Sequence, residues 1–222
     1  MPLNILNDKN RNLKALVLIL ELLAIGLIIY LIALPIWPAL KYKFFYQNNA
    51  GATDAQDLKK VVSQTEQIIN HLPKAEENIS VNRLIITKIG VNAPIVEAKN
   101  SEDGLNQGAW RMPESSTPDK GGNTVITGHR FKYLPPNNLT FFLFDKLAKD
   151  DIISVIWRGK NYFYKIKETK IIKPTDLSIL KPTDASTLTL YTCDPVYSQK
   201  NRLVVIGELI KDDQTNFDNR PN

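Results

Sequence analysis

An all-β domain, barrel or sandwich, behind one N-terminal apolar helix is the fold class that this sequence of 222 residues predicts. Three observations carry that expectation. From Asn82 onward, short β-prone runs alternate with turn residues at even spacing, the pattern of a barrel or a sandwich. Ala15 to Leu34 is an apolar stretch of 20 residues broken by one charge, Glu21. At helical rise that length spans the hydrocarbon core of a bilayer. Residues 47–80, between the two, are polar and rich in Asn, Gln, Asp, Glu and Lys.

Taken in order, residues 1–14 read as a polar cytoplasmic tail and 15–37 as a transmembrane anchor. Lys9, Arg11 and Lys14 precede the apolar run, and Lys41 and Lys43 follow it. That bias places the N-terminus in the cytoplasm and the rest of the chain outside. A cleaved signal peptide is the rival reading. The run exceeds a normal h-region, and Leu34-Pro35-Ile36-Trp37-Pro38 lacks a small-x-small cleavage site. Trp37, Tyr42 and Tyr46 fit an interfacial aromatic belt, and Glu21 fits a tolerated residue near one leaflet. Residues 38–80 form an extracytoplasmic linker. Within it Leu58, Val61, Val62, Thr65, Ile68, Ile69 and Leu72 recur at three-four spacing. That predicts an amphipathic helix over 54–72, whose apolar stripe docks on the following domain, with the membrane surface and a cover over the active site as the alternative readings. His71, in the same linker, is assigned no role.

The domain proper is 81–211. Candidate strands are 82–87, 94–97, 124–128, 152–157, 161–168, 187–192 and 202–210. Gly90, Asn100 to Gly104, Pro113 to Pro118, Gly121-Gly122 and Arg158-Gly159-Lys160 punctuate them. Leu143 to Leu147 reads as a short helix and Pro174 to Leu177 as a turn. The polar residues 212–222 read as a disordered tail.

Composition removes some functions. The chain has 28 basic and 23 acidic residues, a formal charge of +5. Its lysines are spread out, unlike the dense stripe of a nucleic-acid binder, and the balance suits an anionic envelope surface. The single cysteine excludes an intramolecular disulfide and leaves a free thiol. In a domain facing an oxidising exterior, such a thiol needs an explanation. There is no Gly-rich phosphate loop, no paired Cys/His metal spacing and no His-Glu-x-x-His.

The chemistry concentrates in Leu188-Thr189-Leu190-Tyr191-Thr192-Cys193-Asp194-Pro195. The thiol ends a β-prone run and precedes a turn signal. Arg202 opens the next β run, Leu203-Val204-Val205-Ile206. His129 lies upstream in Val125-Ile126-Thr127-Gly128-His129-Arg130. A cysteine and a histidine make a nucleophile and a proton shuttle, and an arginine holds a carbonyl oxygen as it becomes an oxyanion. Taken singly, each residue has a plainer reading: a buried cysteine, a core histidine at a strand end, an arginine closing a loop. Arg111, Arg130 and Arg220 are read as surface arginines. Asp194 is read as a turn residue, because strand neighbours point to opposite faces and its carboxylate would not reach His129.

The Leu-Thr-Leu-Tyr-Thr-Cys run, the downstream Arg-Leu-Val-Val and the upstream Thr-Gly-His-Arg together resemble the sortase family of membrane-anchored bacterial cysteine transpeptidases. Arg83 to Val96, Gly108-Ala109-Trp110 and Gly121-Gly122-Asn123 extend the resemblance to about Asn82–Lys211. It implies a closed β-barrel of about eight strands with short helices. It also implies Cys193 as nucleophile, His129 as general acid/base and Arg202 as the oxyanion or substrate anchor, with Thr192 and Tyr191 supporting the oxyanion and substrate site. The substrate implied is a protein tail of Leu-Pro-x-Thr-Gly (LPxTG) type, cleaved between Thr and Gly through a thioester on Cys193. The acceptor implied is an amine of a peptidoglycan peptide or a pilin lysine. Cys-Asp-Pro and the short gap to Arg202 resemble the class D or class E branches.

No cofactor and no obligatory metal are expected. Glu97, Glu102, Asp103 and Glu114 are acidic and loop-placed but form no EF-hand pattern. By placement, Val196 to Lys200 and Phe131 to Leu139 are the expected specificity elements. The rivals are a thiol hydrolase using the same residues and a non-catalytic surface-binding module.

Overall fold

The computed structural model describes residues 3–45, 59–64, 67, 82–132, 134 and 136–210. His71, the rest of the 54–72 helix and the 212–222 tail lie outside them. One α-helix, α1, runs Leu3–Phe45. It begins inside the expected cytoplasmic tail and continues past the expected end of the anchor, through Pro35 and Pro38. Its segment Leu13–Phe44 is long and apolar enough to cross a membrane, with a mean hydropathy of 2.9.

Eight strands follow: β1 (Arg83–Ile86), β2 (Val91–Val96), β3 (Ala109–Arg111), β4 (Asn123–Thr127), β5 (Ile152–Trp157), β6 (Lys160–Ile172), β7 (Thr187–Asp194) and β8 (Asn201–Leu209). They close into a barrel in the order β1-β2-β3-β4-β7-β8-β6-β5. Only β2–β3 and β4–β7 are parallel pairs. Parallel neighbours need a crossover of about a dozen residues or more. Residues 97–108 supply one, and they contain the helix α2 (Ser101–Gln107).

The sequence pattern read Asn100 to Gly104 as a turn. It is a helix start: the Asn100 side chain accepts a bond from the Asp103 N–H at 3.0 Å, and Glu102 and Asp103 occupy the first turn. Asn at the N-cap and acids in the first turn satisfy exposed N–H groups and oppose the helix dipole. Gly104 is required there because a Cβ would stand 2.2 Å from the Trp110 ring.

Alternate residues fill the barrel, as a strand's period of two dictates: Leu84 and Ile86, Val91, Ala93 and Ile95, Ile153, Val155 and Trp157, Leu188 and Leu190, Leu203 and Val205. β5 is buried along its whole length, on both faces. On its outer face Ile152 packs with Phe163, and Val61, Val62 and Ile210 cover them. Residues 59–64 and 67 are helical, so the helix expected in the linker docks its Val61 and Val62 on the barrel. At the end of α1, Tyr42 packs against the main core.

β6 overshoots its expected end. A register shift between Ile166 and Glu168 breaks the period of two, and the strand pairs with β8 as far as Ile172. β7 likewise includes Cys193 and Asp194, the latter paired with Asn201, so the turn begins only at Pro195.

Candidate active site

Backbone register sets the site. In the antiparallel β7–β8 pair, Cys193 stands opposite Arg202. Directly opposed residues share a face, with Cβ atoms about 5 Å apart. Leu188 and Leu190 point into the core, so Tyr191 and Cys193 point outward, while Thr192 and Asp194 are on the inner side. β4 runs parallel to β7 with Thr127 level with Tyr191. The strand pairing ends there, and His129 follows two residues on, at the same end of the barrel as Cys193.

Two side-chain bonds hold the junction. Thr127 Oγ1 donates to the Tyr191 carbonyl at 2.9 Å, and Thr192 Oγ1 donates to the Gly128 carbonyl at 2.7 Å. Thr192 is 1% exposed, so its hydroxyl serves as a clamp between β7 and the chain before His129. Beyond the strand, the His129 carbonyl accepts the Phe141 N–H at 2.8 Å. Gly128 is held as closely: a Cβ there would meet the Phe141 ring at 2.8 Å.

His129, Tyr191, Thr192, Cys193 and Arg202 all line one cleft of about 500 Å³. The sequence-predicted residues are therefore brought together without exception. Cys193 is a free, half-buried thiol. Burial pushes the His129 imidazole below its ordinary value, and the positive charge of Lys132 adds to the effect. The resting ring is thereby biased toward its neutral form, which can accept a proton. Arg202 Nη1 donates to the carbonyls of Gln199 and Asn201 at 3.1 and 3.0 Å. Those bonds anchor the guanidinium on the β7–β8 loop through one nitrogen of its fork. Burial raises the Tyr191 phenol above its ordinary value, and its hydroxyl meets Met112 Sδ at 3.4 Å.

The rest of the cleft wall comes from Leu105, Trp110, Ile172 at the end of β6, and Leu177 and Ile179 in the β6–β7 loop. The sequence pattern reads Pro174 to Leu177 in that loop as a turn and gives it no role at the site. Its anchor is Asn123, which donates to the carbonyls of Ile179 and Lys181 at 2.9 Å each and accepts from Thr189 Oγ1 at 2.8 Å. Leu177 is 65% exposed within a polar loop, and that is the signal a sequence reading could have used. Of the expected specificity elements, Gln199 lines the cleft. Tyr197 meets Phe131 edge-on at 4.7 Å, joining the two elements.

Two arginines read as surface residues are buried. Arg111 bonds Glu97 and the carbonyls of Met112 and Ser115 and lies 5.9 Å over the Trp157 ring. Arg130 is 4% exposed and pairs with Asp145. Both find partners that local spacing does not reveal. Arg220 lies outside the described residues.

Known proteins share this architecture. Sortase D of Bacillus subtilis (strain 168) is 28% identical over 165 residues, covering 72% of this chain and 79% of its own length. Sortase A of Listeria monocytogenes is 26% identical over 164 residues, 74% of this chain and 71% of its own. A solved sortase D5 transpeptidase of Clostridium perfringens is similar in fold, with a TM-score of 0.52 over 75% of this chain and 94% of its own, at 24% identity. The family model of the sortase domain matches residues 84–210. That match takes in more than half of the chain and runs from the first strand of the barrel to the last, and the chain therefore belongs to the sortase family.

Proposed function

We propose that this transpeptidase cleaves an LPxTG-like sorting motif between Thr and Gly and transfers the acyl group to an amine. The observation that carries the reading is the direct opposition of Cys193 and Arg202 across β7 and β8, with His129 lining the same cleft. Cys193 sulfur attacks the Thr carbonyl carbon while its proton passes to neutral His129. Arg202 receives the oxygen as it becomes negative. The carbonyl re-forms, the C–N bond to Gly breaks, and the proton on His129 goes to the leaving amine. The acyl group is then a thioester on Cys193. An incoming amine attacks it, His129 takes that amine's proton, and as the amide forms the C–S bond breaks and His129 returns the proton to the Cys193 sulfur. Tyr191 and Thr192 support this centre, Thr192 through its bond to the Gly128 carbonyl.

The substrate is a surface-protein or pilin tail, and the acceptor is an amine of the peptidoglycan or of a pilin lysine. α1 supplies a single membrane anchor with its N-terminus in the cytoplasm, which sets the barrel outside the membrane. The working domain is taken as 81–211, after a linker of 38–80. The test is product analysis on a short sorting peptide with and without an amine acceptor. Amide-linked product at the expense of the free acid supports transpeptidation. Free acid alone, at any acceptor concentration, makes the chain a thiol hydrolase.

A further inference from the structure

The apolar run of α1 ends at Leu34, yet the helix continues to Phe45. Along that continuation Leu34, Pro35, Pro38 and Tyr42 are half-buried. Their three-four spacing puts them on one helix face, and Tyr42 packs against the barrel core. The other faces still carry apolar side chains: Ile36 is 47% exposed, Trp37 65% and Leu40 42%. In a membrane anchor, exposed side chains of that kind face lipid.

Where α1 leans on the barrel there is another cavity, of about 260 Å³. It shares no lining residue with the catalytic cleft. α1 contributes Trp37, Pro38, Lys41 and Tyr42 to its wall. The turn after β1 contributes Lys88, and the segment before Phe141 contributes Asn137 and Asn138. The charged lining is wholly cationic among the described residues. Lys41 is exposed and makes no hydrogen bond or ion pair among them. Lys88 Nζ donates to both oxygens of Asp151, at 2.8 and 2.7 Å. That fixes the ammonium and leaves the third of its donors. The Asn137 and Asn138 side-chain N–H groups have no acceptor among the described residues.

Helical rise sets the level of the cavity. Trp37 is about 4–5 Å and Lys41 about 10 Å beyond Leu34, and the headgroup layer is roughly 5–8 Å deep on each side of a bilayer. A lysine stem reaches along apolar surface to place its ammonium at such a boundary.

We propose that this cavity binds the headgroup of an anionic glycerophospholipid, with Lys41, Lys88 and the Asn137 and Asn138 amides as its donors and Ile36, Trp37 and Leu40 against its chains. This rests on α1 being a membrane anchor with the barrel outside. Two ammonium groups repel the cation of a zwitterionic headgroup and favour one that is negative as a whole.

The test is native mass spectrometry of the full chain in a nonionic detergent, titrated with phosphatidylglycerol or with phosphatidylcholine of the same acyl chains. One phosphatidylglycerol per chain is expected, half-saturating on the order of tenfold below phosphatidylcholine, as two nearby lysines imply. Lys41→Gln should weaken it about fivefold, the usual effect of one lysine near an anionic headgroup. Asn138→Asp, which puts a carboxylate into the cavity, should weaken it at least as much. Lys43→Gln, at a residue outside the lining, should bind as the parent does. Equal retention of the two lipids overturns the proposal, as does a Lys41→Gln variant no weaker than Lys43→Gln. Glycerol 3-phosphate that displaces the lipid at matching concentration also overturns it, and makes the cavity a site for a soluble phosphate. A separate measurement reads the anchor. Trp110 and Trp157 are 8% and 1% exposed, so quenching by acyl-brominated lipid in vesicles reports on Trp37. Strong quenching with equal lipid retention defeats the headgroup site alone, whereas absence of quenching defeats the anchor on which the site rests.

Discussion

At the scale of single residues, the cleft makes sharp demands. Arg202 is anchored through Nη1 on two loop carbonyls, and a lysine offers no planar fork to bond the loop and an oxyanion together. Arg202→Lys is expected to lose roughly a hundred- to thousand-fold in turnover, the usual effect of removing an oxyanion donor. Turnover within a few-fold of the parent would reduce Arg202 to a counter-charge. Gly128 stands under His129. An alanine there drives a methyl into the Phe141 ring and is expected to cost about 1–3 kcal/mol, read as a lowered Tm together with a lowered kcat.

In the proposed mechanism His129 sets the acid side of the pH profile. Burial holds its imidazole below the ordinary value of about 6.5, so protonation removes the base only below that pH, and activity falls there. Stability follows the same sign. Between the folded value and about 6.5 the unfolded chain binds the extra proton, so this contribution is intact above about 6.5 and is lost as pH falls. His129→Gln should flatten the acid part of both curves, and an acid limb of the rate profile above about pH 7 would contradict the assignment.

At the scale of elements, β5 explains why the linker helix docks. A strand reading Ile-Ile-Ser-Val-Ile-Trp has apolar residues for both faces, and such strands need a cover on each. Val61 and Val62 supply part of the outer cover over Ile152 and Phe163. Val62 is half-buried, so Val62→Asp is expected to cost about 1 kcal/mol, lowering Tm by roughly 2–4 °C while turnover per folded molecule is kept. An unchanged Tm would show that this contact contributes nothing. The same contact bears on where the working domain starts: cutting the chain just before Asn82 exposes Ile152 and Phe163.

Much of this was legible beforehand. The β-prone runs 124–128, 152–157 and 187–192 match β4, β5 and β7 closely, and the motif positions fall in one cleft. β3 escaped because three residues with a buried arginine carry no alternation. α2 escaped because its N-cap residues are also turn residues. The far half of β6 escaped because a bulge reverses its faces. Arg130 and Arg111 escaped because their burial depends on Asp145 and Glu97, more than ten residues away along the chain.

At the scale of the whole molecule, one apolar helix and one barrel are joined near Tyr42, which packs against the core. In the proposed mechanism the reaction is confined to the barrel, and the helix serves for location. The central claim is that Cys193 carries the acyl group, and intact-mass and peptide-mapping spectrometry of the full chain mixed with a Leu-Pro-x-Thr-Gly peptide tests it most directly. The account predicts an adduct of the peptide through Thr, located on Cys193, that disappears when an amine is added as the amide product accumulates. An adduct on another residue, or cleavage that persists in Cys193→Ala without any adduct, would contradict it.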